Sequence, residues 1–247
     1  MLIEFHHVKK SYGRKTILSD VTFGIETGEI FGIIGKSGSG KTTILKILNG
    51  ICPIDYGRVL FKGVNISKEL RELRKETGFA AQKNTLFEEL SIYENSFYFA
   101  KLYGIKRRDI KRKFQELINL FNLKGFENYL IKNLSGGMIK RANLLVSLMH
   151  SPSLLILDEP TVGLDPFLRK NLWSYIRQIN SFGVTILVTS HLIEEIEKNC
   201  DSVAILNNGT IVASLKIEEY KQKYGDSLSL EEIFKGILEN HENINYI

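Results

Sequence analysis

The hydrophobic positions of the chain form short continuous runs, separated by polar turns and by segments of helical periodicity. Such runs are typical of strands buried in a sheet. The predicted strands cover residues 2–8, 20–25, 29–34, 58–61, 78–81, 154–157, 184–189 and 203–206. Helical patterns begin near Lys41 and at His191, and they cover 166–181 and 229–240. Because strands alternate with helices, the pattern predicts parallel strand pairing and an α/β fold.

The stretch 84–150 differs from the sequence around it. Its hydrophobic residues recur with helical spacing, most clearly over 92–103 and 111–122, and strand-like runs are almost absent. We therefore predict a helical insertion into a single folding unit. The predicted organisation is one domain over 1–247, with an α/β lobe and C-terminal helix formed by 1–83 and 151–247 and a helical subdomain formed by 84–150.

Composition is that of a folded globular protein. Of 247 residues, 43% are hydrophobic, 25% are charged and 4 are proline, which excludes disordered, collagen-like and disulfide-scaffold proteins. Apolar runs fall far short of the about 20 residues of a membrane-spanning helix, and no secretory signal is visible. We expect a cytoplasmic chain that does not cross a membrane by itself. Cys52 and Cys200 belong to no Cys/His cluster and are expected to be reduced.

The positive charge of the chain is local. Lysine and arginine number 33 against 28 aspartates and glutamates, a net charge of +5. Residues 106–113 hold six basic groups and one acid, so this segment carries +5 and the remainder sums to zero. Apolar residues follow it at helical spacing, which favours the solvated face of an amphipathic helix. A contact with membrane headgroups or a partner, and a contact with nucleic acid, remain as alternatives.

The strongest local motif lies directly between a predicted strand and a predicted helix. It fits the pattern G-x-x-x-x-G-K-S/T and consists of Gly35, Lys36, Ser37, Gly38, Ser39, Gly40, Lys41 and Thr42. Glycines allow successive backbone N–H groups to surround an anion, and the helix N-terminus adds its dipole. Lys41 supplies a positive charge to the β- and γ-phosphates, and the Thr42 hydroxyl can bind Mg²⁺. The motif predicts a site for a nucleoside triphosphate.

Two carboxylates follow the apolar run 154–157. In a protein with a phosphate loop, Asp158 at this place can reach Mg²⁺, directly or through water. Glu159 can accept a proton from the attacking water or orient it. An Asp-Glu pair is common at strand ends, and the phosphate loop upstream is what favours a catalytic role. The pair therefore predicts hydrolysis of the bound nucleotide.

A second glycine-rich segment opens the helix that starts near Met138. In it, Ser135, Gly136 and Gly137 follow Leu134, so the serine hydroxyl and the glycine amides form a second candidate anion site. Ordinary helix capping by Ser135 is the simpler interpretation. The position of the segment, shortly before the two carboxylates, argues that capping is not its whole role.

This order of motifs resembles that of the ATP-binding-cassette (ABC) ATPases over essentially the whole chain. The resemblance implies a P-loop NTPase fold, with a RecA-like core, an antiparallel β part and the inserted helical subdomain. It implies that Tyr12 stacks on adenine, that Thr43 belongs to the nucleotide-binding set, and that Gln82 senses Mg²⁺ and the γ-phosphate. It further implies that His191 is the switch histidine that contacts the γ-phosphate. Asp165, in a Gly-Leu-Asp segment, matches the loop that crosses the dimer interface.

The resemblance also implies a mechanism and two protein partners. In the family, the phosphate loop of one chain and the Ser135 segment of a second, identical or different, hold each ATP head to tail. Hydrolysis then opens the dimer, and the motion passes to a polytopic membrane subunit docked after the Gln82 loop. Among the apolar residues there, Leu86, Phe87 and Tyr93 are candidates for exposure to that subunit, and a role in the hydrophobic core is the alternative. ATP and Mg²⁺ are the expected ligands, and the chain is expected on the inner face of the cell membrane.

One position departs from the family pattern, which usually has glutamine after the two glycines. This chain has Met138, which cannot donate that hydrogen bond. We therefore expect a working but slower or looser second half-site.

The sequence is compatible with three functions. The first is the ATPase subunit of a transporter, with export favoured because residues 163–166 and the tail 229–234 look like those of drug- and lipid-exporting ABC ATPases. The second is a soluble ABC ATPase that acts on ribosomes or nucleic acid, for which only the basic segment 106–113 speaks; we expect no nucleic acid partner. The third, a small-molecule kinase, leaves Ser135 and His191 unexplained.

Overall fold

The computed structural model describes residues 1–224 and 229–236, and it divides into two compact units. The first unit comprises Met1–Leu70 with Leu187–Ile247, and the second comprises Arg71–Ile186. The strands are β1 (Ile3–Tyr12), β2 (Lys15–Ile25), β3 (Ile30–Ile34), β4 (Tyr56–Phe61), β5 (Val64–Asn65), β6 (Thr77–Ala80), β7 (Leu154–Asp158), β8 (Thr185–Ser190), β9 (Ser202–Asn207) and β10 (Thr210–Lys216). The helices are α1 (Lys41–Leu48), α2 (Leu70–Glu76), α3 (Ile92–Leu102), α4 (Arg107–Leu120), α5 (Gly136–Ser147), α6 (Pro166–Ser181), α7 (Ile193–Asn199), α8 (Ile217–Tyr224) and α9 over 230–236.

A mixed sheet forms the first unit, in the order β5-β4-β1-β2-β10-β9-β3. Its β1 runs antiparallel to β2 and β4, and β9 runs antiparallel to β10. By contrast β3 is parallel to β9, and β10 meets β2 in parallel. The unit therefore combines an antiparallel part with a parallel part, and this confirms the predicted α/β fold class with a mixed sheet.

Aromatic residues from three strands stack in the core of the first unit. The ring of Phe23 lies 4.6 Å from that of Phe5 and 5.5 Å from that of Phe31, and all three side chains are buried. Each residue of β3 is buried as well. Burial on both faces fixes β3 firmly, which gives the loop after it a defined starting point.

In the second unit, two parallel strands and a group of helices pack together. The strand β6 pairs in parallel with β7, and α3 packs on α4 and α5. The inner side of α4 buries Ile110, Phe114, Leu117 and Ile118, while Arg108 and Arg112 lie 3.8 and 4.0 Å from the Asp109 carboxylate. The basic segment is thus the outer face of an amphipathic helix, as its spacing predicted.

The structure corrects several predicted elements. Prediction missed α2, α8 and the strands β5 and β10, and α4 starts at Arg107 rather than at residue 111. The helix expected from His191 begins at Ile193, because Leu192 has an extended backbone. The helix predicted over 229–240 is described over 230–236, and its last residues lie outside the described part. Within the described ranges, no helix combines the length and the apolar character that a bilayer span requires.

A partly buried histidine in the second unit makes stability depend on pH. The ring of His150 lies parallel to that of Tyr103, with 3.7 Å between centroids. Its Nε2 lies 3.1 Å from the Thr77 carbonyl oxygen, and its buried Nδ1 has no hydrogen-bond partner among the described residues. Burial lowers the pKa of His150 to about 4, although the hydrogen bond to Thr77 opposes this. The folded protein therefore keeps this ring neutral at pH values where the unfolded chain binds a proton.

We expect His150 to destabilise the fold as the pH falls from about 6.5 to about 4. In that interval the unfolded state binds more protons, so the free energy of unfolding decreases, by about 2 to 3 kcal/mol at pH 4.5. Urea unfolding at pH 7 and pH 4.5 measures the change. His150→Asn should remove that part of the pH dependence, whereas His7→Asn, an exposed control, should keep it. If the free energy of unfolding of His150→Asn falls between pH 7 and pH 4.5 by as much as that of the parental chain, His150 is not the cause of the pH dependence.

Candidate functional site

The phosphate loop, residues 35–42, joins β3 to α1 in the first unit. Lys41 is the first residue of α1, and its side chain is buried. Its ammonium group donates hydrogen bonds to the carbonyl oxygens of Gly35, at 2.7 Å, and Lys36, at 3.2 Å. The side chain is thus folded back over its own loop, and a positive charge is fixed within it.

The backbone of the loop has the geometry of an anion cradle. Gly38 and Gly40 have φ angles of +80° and +115°, a left-handed conformation that favours glycine. A Cβ atom on Gly40 would come within 2.6 Å of the Leu18 side chain. No side chain caps α1, and the buried Ser39 Oγ lacks a hydrogen-bond partner among the described residues. The donor set and this unpaired hydroxyl fit the phosphate groups of a nucleotide.

Tyr12 lies at the end of β1 in the same unit. Its side chain is 47% exposed, and a hydrogen bond to Cys52, together with burial, raises the pKa of its hydroxyl. The Lys10 ammonium lies 5.5 Å from the centre of the ring and is fixed by Asp55 at 2.8 Å. An aromatic ring that lies beside a fixed ammonium group and is open to solvent is suited to stacking on a planar base.

His191 is exposed and directly follows β8. The hydroxyl of Ser190, at the end of that strand, accepts a hydrogen bond from the Leu192 amide at 2.9 Å. His191 therefore stands in a short ordered turn between β8 and α7. His191 thus lies outside the helix, which begins at Ile193.

In the second unit, the two carboxylates stand at the end of β7. Asp158 is its last residue, and Glu159 follows with a φ angle of +46°, a conformation that costs a non-glycine residue about 1 to 3 kcal/mol. The side-chain amide of Gln82 donates a hydrogen bond to Glu159 Oε2 at 3.1 Å. The structure thus brings together two residues that are far apart in sequence and were both predicted to be catalytic.

Lys140, on α5, contacts the same group of residues and was not predicted. Its ammonium donates a hydrogen bond to the backbone carbonyl of Gln82 at 2.7 Å. Burial lowers the pKa of Lys140, and the charge of Asp158 opposes the shift. No motif in the sequence marks this lysine, because its acceptor is a backbone atom 58 residues away.

The Ser135 segment and Asp165 both cap helices. The Ser135 hydroxyl accepts a hydrogen bond from the Met138 amide at 3.4 Å, and Asp165 accepts one from the Leu168 amide at 3.0 Å. Around Gly136 a Cβ atom would meet nothing within 4 Å, whereas at Gly137 it would lie 3.2 Å from the Leu168 side chain. Ser135 therefore does cap the helix, as the simpler interpretation held. The open space beside Gly136 leaves room for a further ligand.

The residues expected to face a membrane subunit differ in exposure. Phe87 is 46% exposed, but Leu86 is only 6% exposed, so Leu86 has the core role that was the alternative to a partner contact. Tyr93 is half-buried and packs edge-on against Phe114. Phe87 is held rigidly, because the buried Asn95 accepts from its amide at 2.9 Å and donates to its carbonyl at 3.1 Å.

Most of these residues lie between positions 18 and 162. A protein-family model described as ABC transporter matches residues 18–162, which is more than half of the chain. The chain belongs to the ABC transporter family. Within it, the chain is an ATP-binding subunit, and membership implies that it hydrolyses ATP. These assignments favour the transporter function over the ribosome-associated one.

Curated relatives of the ABC transporter family match most of the chain. It is 35% identical over 212 residues to the linearmycin resistance ATP-binding protein LnrL of Bacillus subtilis, covering 86% of this chain and 68% of that protein. It is also 35% identical over 211 residues to the Nod factor export ATP-binding protein I of Rhizobium etli, covering 85% of this chain and 67% of that protein.

Solved structures of ABC transporter proteins share the fold. An ATP binding subunit of an ABC transporter is 27% identical, with a TM-score of 0.86 over 96% of this chain and all of that one. The cbiO1 protein of Clostridium perfringens is 24% identical, with a TM-score of 0.83 over 98% of this chain and 96% of that one. At that identity the second likeness concerns the fold alone.

Proposed function

We propose that this ATP-binding subunit powers export by a separate polytopic membrane subunit, through ATP-driven head-to-tail pairing with a second ABC chain, identical or different. The hydrogen bond between Gln82 and Glu159 carries the proposal, because it pairs the residue expected to sense the γ-phosphate with the expected catalytic base. The names of the relatives, one a resistance protein and one an export protein, support the outward direction of transport.

The proposed ATP site begins with the phosphate loop. Its backbone amides and the Lys41 ammonium would bind the phosphates, and Tyr12 would stack on the base. Because the loop already holds the Lys41 side chain, phosphate binding costs less conformational entropy than it would with a mobile lysine. The nucleotide-binding set is completed by Gly35, Lys36, Ser37, Gly38, Ser39, Gly40, Thr42, Thr43 and Asp158.

Hydrolysis is assigned to three residues. Glu159 accepts the proton of the attacking water, as a carboxylate at the end of a buried strand can. Gln82 holds the Glu159 carboxylate by its amide, and His191 donates a hydrogen bond to the γ-phosphate. Bound Mg²⁺, held by Thr42, Asp158 and Gln82, would neutralise charge on the β- and γ-phosphates.

The second half-site is proposed for the segment of Ser135, Gly136 and Gly137, with Asp165 at the dimer interface. The open surface at Gly136 lets a phosphate approach the start of α5, where the helix dipole favours an anion. The γ-phosphate of the second chain's nucleotide would add charge-assisted hydrogen bonds to this helix. Their loss on hydrolysis would open the dimer.

The membrane subunit is proposed to dock on the exposed ring of Phe87, and this would hold the chain at the inner face of the cell membrane. Phe87 packs with Tyr98 and Phe99, at 5.2 and 6.0 Å between ring centroids, and forms a small aromatic surface on a rigid loop. Rigid aromatic side chains are typical anchors of protein interfaces. The subunit would receive the conformational change of the ATPase at this surface.

Affinity isolation from detergent-solubilised native membranes tests this proposal. The parental chain should retrieve a polytopic membrane protein, and Phe87→Glu should lower its recovery about tenfold or more. Phe182→Glu, which changes an aromatic residue that is 70% exposed in the same unit, should retrieve it as the parental chain does. Recovery of ribosomes or RNA in place of a membrane protein would contradict the proposed function.

A further inference from the structure

Lys140 connects α5 to the backbone of Gln82. Its ammonium lies 2.7 Å from the Gln82 carbonyl oxygen, a short distance for a charge-assisted hydrogen bond. Ordering a lysine side chain costs conformational entropy, and burial disfavours its charge. The contact therefore fixes the backbone of Gln82 at a definite distance from α5.

The side-chain amide of Gln82 makes this backbone contact relevant to catalysis. Its side-chain amide donates to Glu159 Oε2 at 3.1 Å, so a continuous chain of hydrogen bonds runs from Lys140 to the carboxylate. The backbone of Glu159 has a left-handed conformation, which the surrounding contacts must hold in place. A shift of the Gln82 backbone would move the amide relative to that carboxylate.

The next residue on α5 makes a useful contrast. Arg141 donates to the backbone carbonyls of Phe121 and Asn122 at 3.0 and 3.2 Å, and thereby ties α5 to the end of α4. Neither carbonyl belongs to a residue with a proposed catalytic role. Arg141 anchors the helix, whereas Lys140 connects the same helix to the catalytic residues.

We propose that Lys140 is a positioning residue for ATP hydrolysis, which couples α5, the helix capped by Ser135, to the Gln82–Glu159 pair. The inference rests on the catalytic roles proposed above for Gln82 and Glu159. Lys140 sets the position of the Gln82 backbone, and Gln82 in turn orients the carboxylate that accepts the proton. A change at the start of α5 would thereby alter the rate of hydrolysis.

Steady-state kinetics of the full chain test the role of Lys140. Lys140→Met is expected to lower kcat about tenfold, with KM and ATP affinity within about twofold of the parental values. Lys140→Arg, which keeps a cationic donor, should restore kcat to within about threefold. Lys75→Met removes an exposed lysine that pairs with Glu72 on α2, and it should leave kcat unchanged. A general loss of structure would instead lower ATP affinity and melting temperature together.

A double-mutant cycle with Gln82→Ala distinguishes positioning from an independent effect. If Lys140 acts through the Gln82 side chain, Lys140→Met should change kcat less than about twofold in the Gln82→Ala background. If the double variant lowers kcat by the product of the two single effects, the substitutions act independently and the inference is overturned. If Gln82→Ala and Glu159→Gln lower kcat but Lys140→Met does not, the positioning role alone fails. If all three variants keep the parental kcat, the proposed catalytic roles fail with it.

Discussion

Glu159→Gln is expected to lower kcat for ATP hydrolysis by about 10²- to 10⁴-fold and to leave ATP affinity nearly unchanged. The substitution keeps the size of the side chain and removes its capacity to accept a proton. Glu159 lies at the end of β7, whose first four residues are buried, so the strand that positions it should not change. Phosphate release under saturating ATP measures kcat, and titration calorimetry measures the affinity.

The control for this prediction is Glu116→Gln, which makes the same chemical change at an exposed position of α4. It should hydrolyse ATP at the parental rate. A Glu159→Gln chain with parental kcat would show that another group accepts the proton. A Glu159→Gln chain that has lost ATP affinity would show that the carboxylate binds the nucleotide rather than activates water.

Lys41→Ala is expected to weaken ATP binding at least about 100-fold, since each charge-assisted hydrogen bond contributes about 1.5 to 3 kcal/mol. The Lys41 ammonium is held in the loop by the carbonyls of Gly35 and Lys36, so its charge is already in place before the phosphates arrive. Calorimetry of the nucleotide titration gives the affinity, and a thermal melt in the absence of nucleotide gives the cost of losing the two internal bonds.

Lys46→Ala is the matched control for the phosphate loop. It removes an exposed lysine from the last turn of the same helix, α1, and should bind ATP as the parental chain does. Unchanged affinity in Lys41→Ala would contradict the assignment of residues 35–42 as the phosphate loop. Equal losses in both variants would point to the net charge of the unit rather than to the loop.

Local sequence signals predicted part of the fold. The bounds of α6 are those predicted, since Asp165 caps its start and proline occupies its first position. The strand β10 was missed because a half-buried strand forms here through pairing with β9, and its sequence lacks a strong apolar run. At α4 the charged first turn concealed the start, since only the apolar residues that follow it show helical spacing.

The sequence identified the candidate site residues, but it predicted less of their arrangement in space. The phosphate loop is a continuous motif, so its place between β3 and α1 could be deduced. The hydrogen bond from Gln82 to Glu159 joins residues 77 positions apart, and only the folded chain places them together. Leu86 and Phe87 are adjacent and both apolar, and sequence alone did not distinguish the buried residue from the exposed one.

We propose that ATP joins two ABC chains and that hydrolysis separates them. The most direct test is to isolate tagged Glu159→Gln from its native cells in ATP and Mg²⁺, and to measure which ABC chains accompany it. We expect an equal amount of a second ABC chain, either an untagged copy or a different chain, and we expect it to dissociate when ADP replaces ATP. Recovery of the tagged chain without any second ABC chain, in ATP as in ADP, would contradict this proposal.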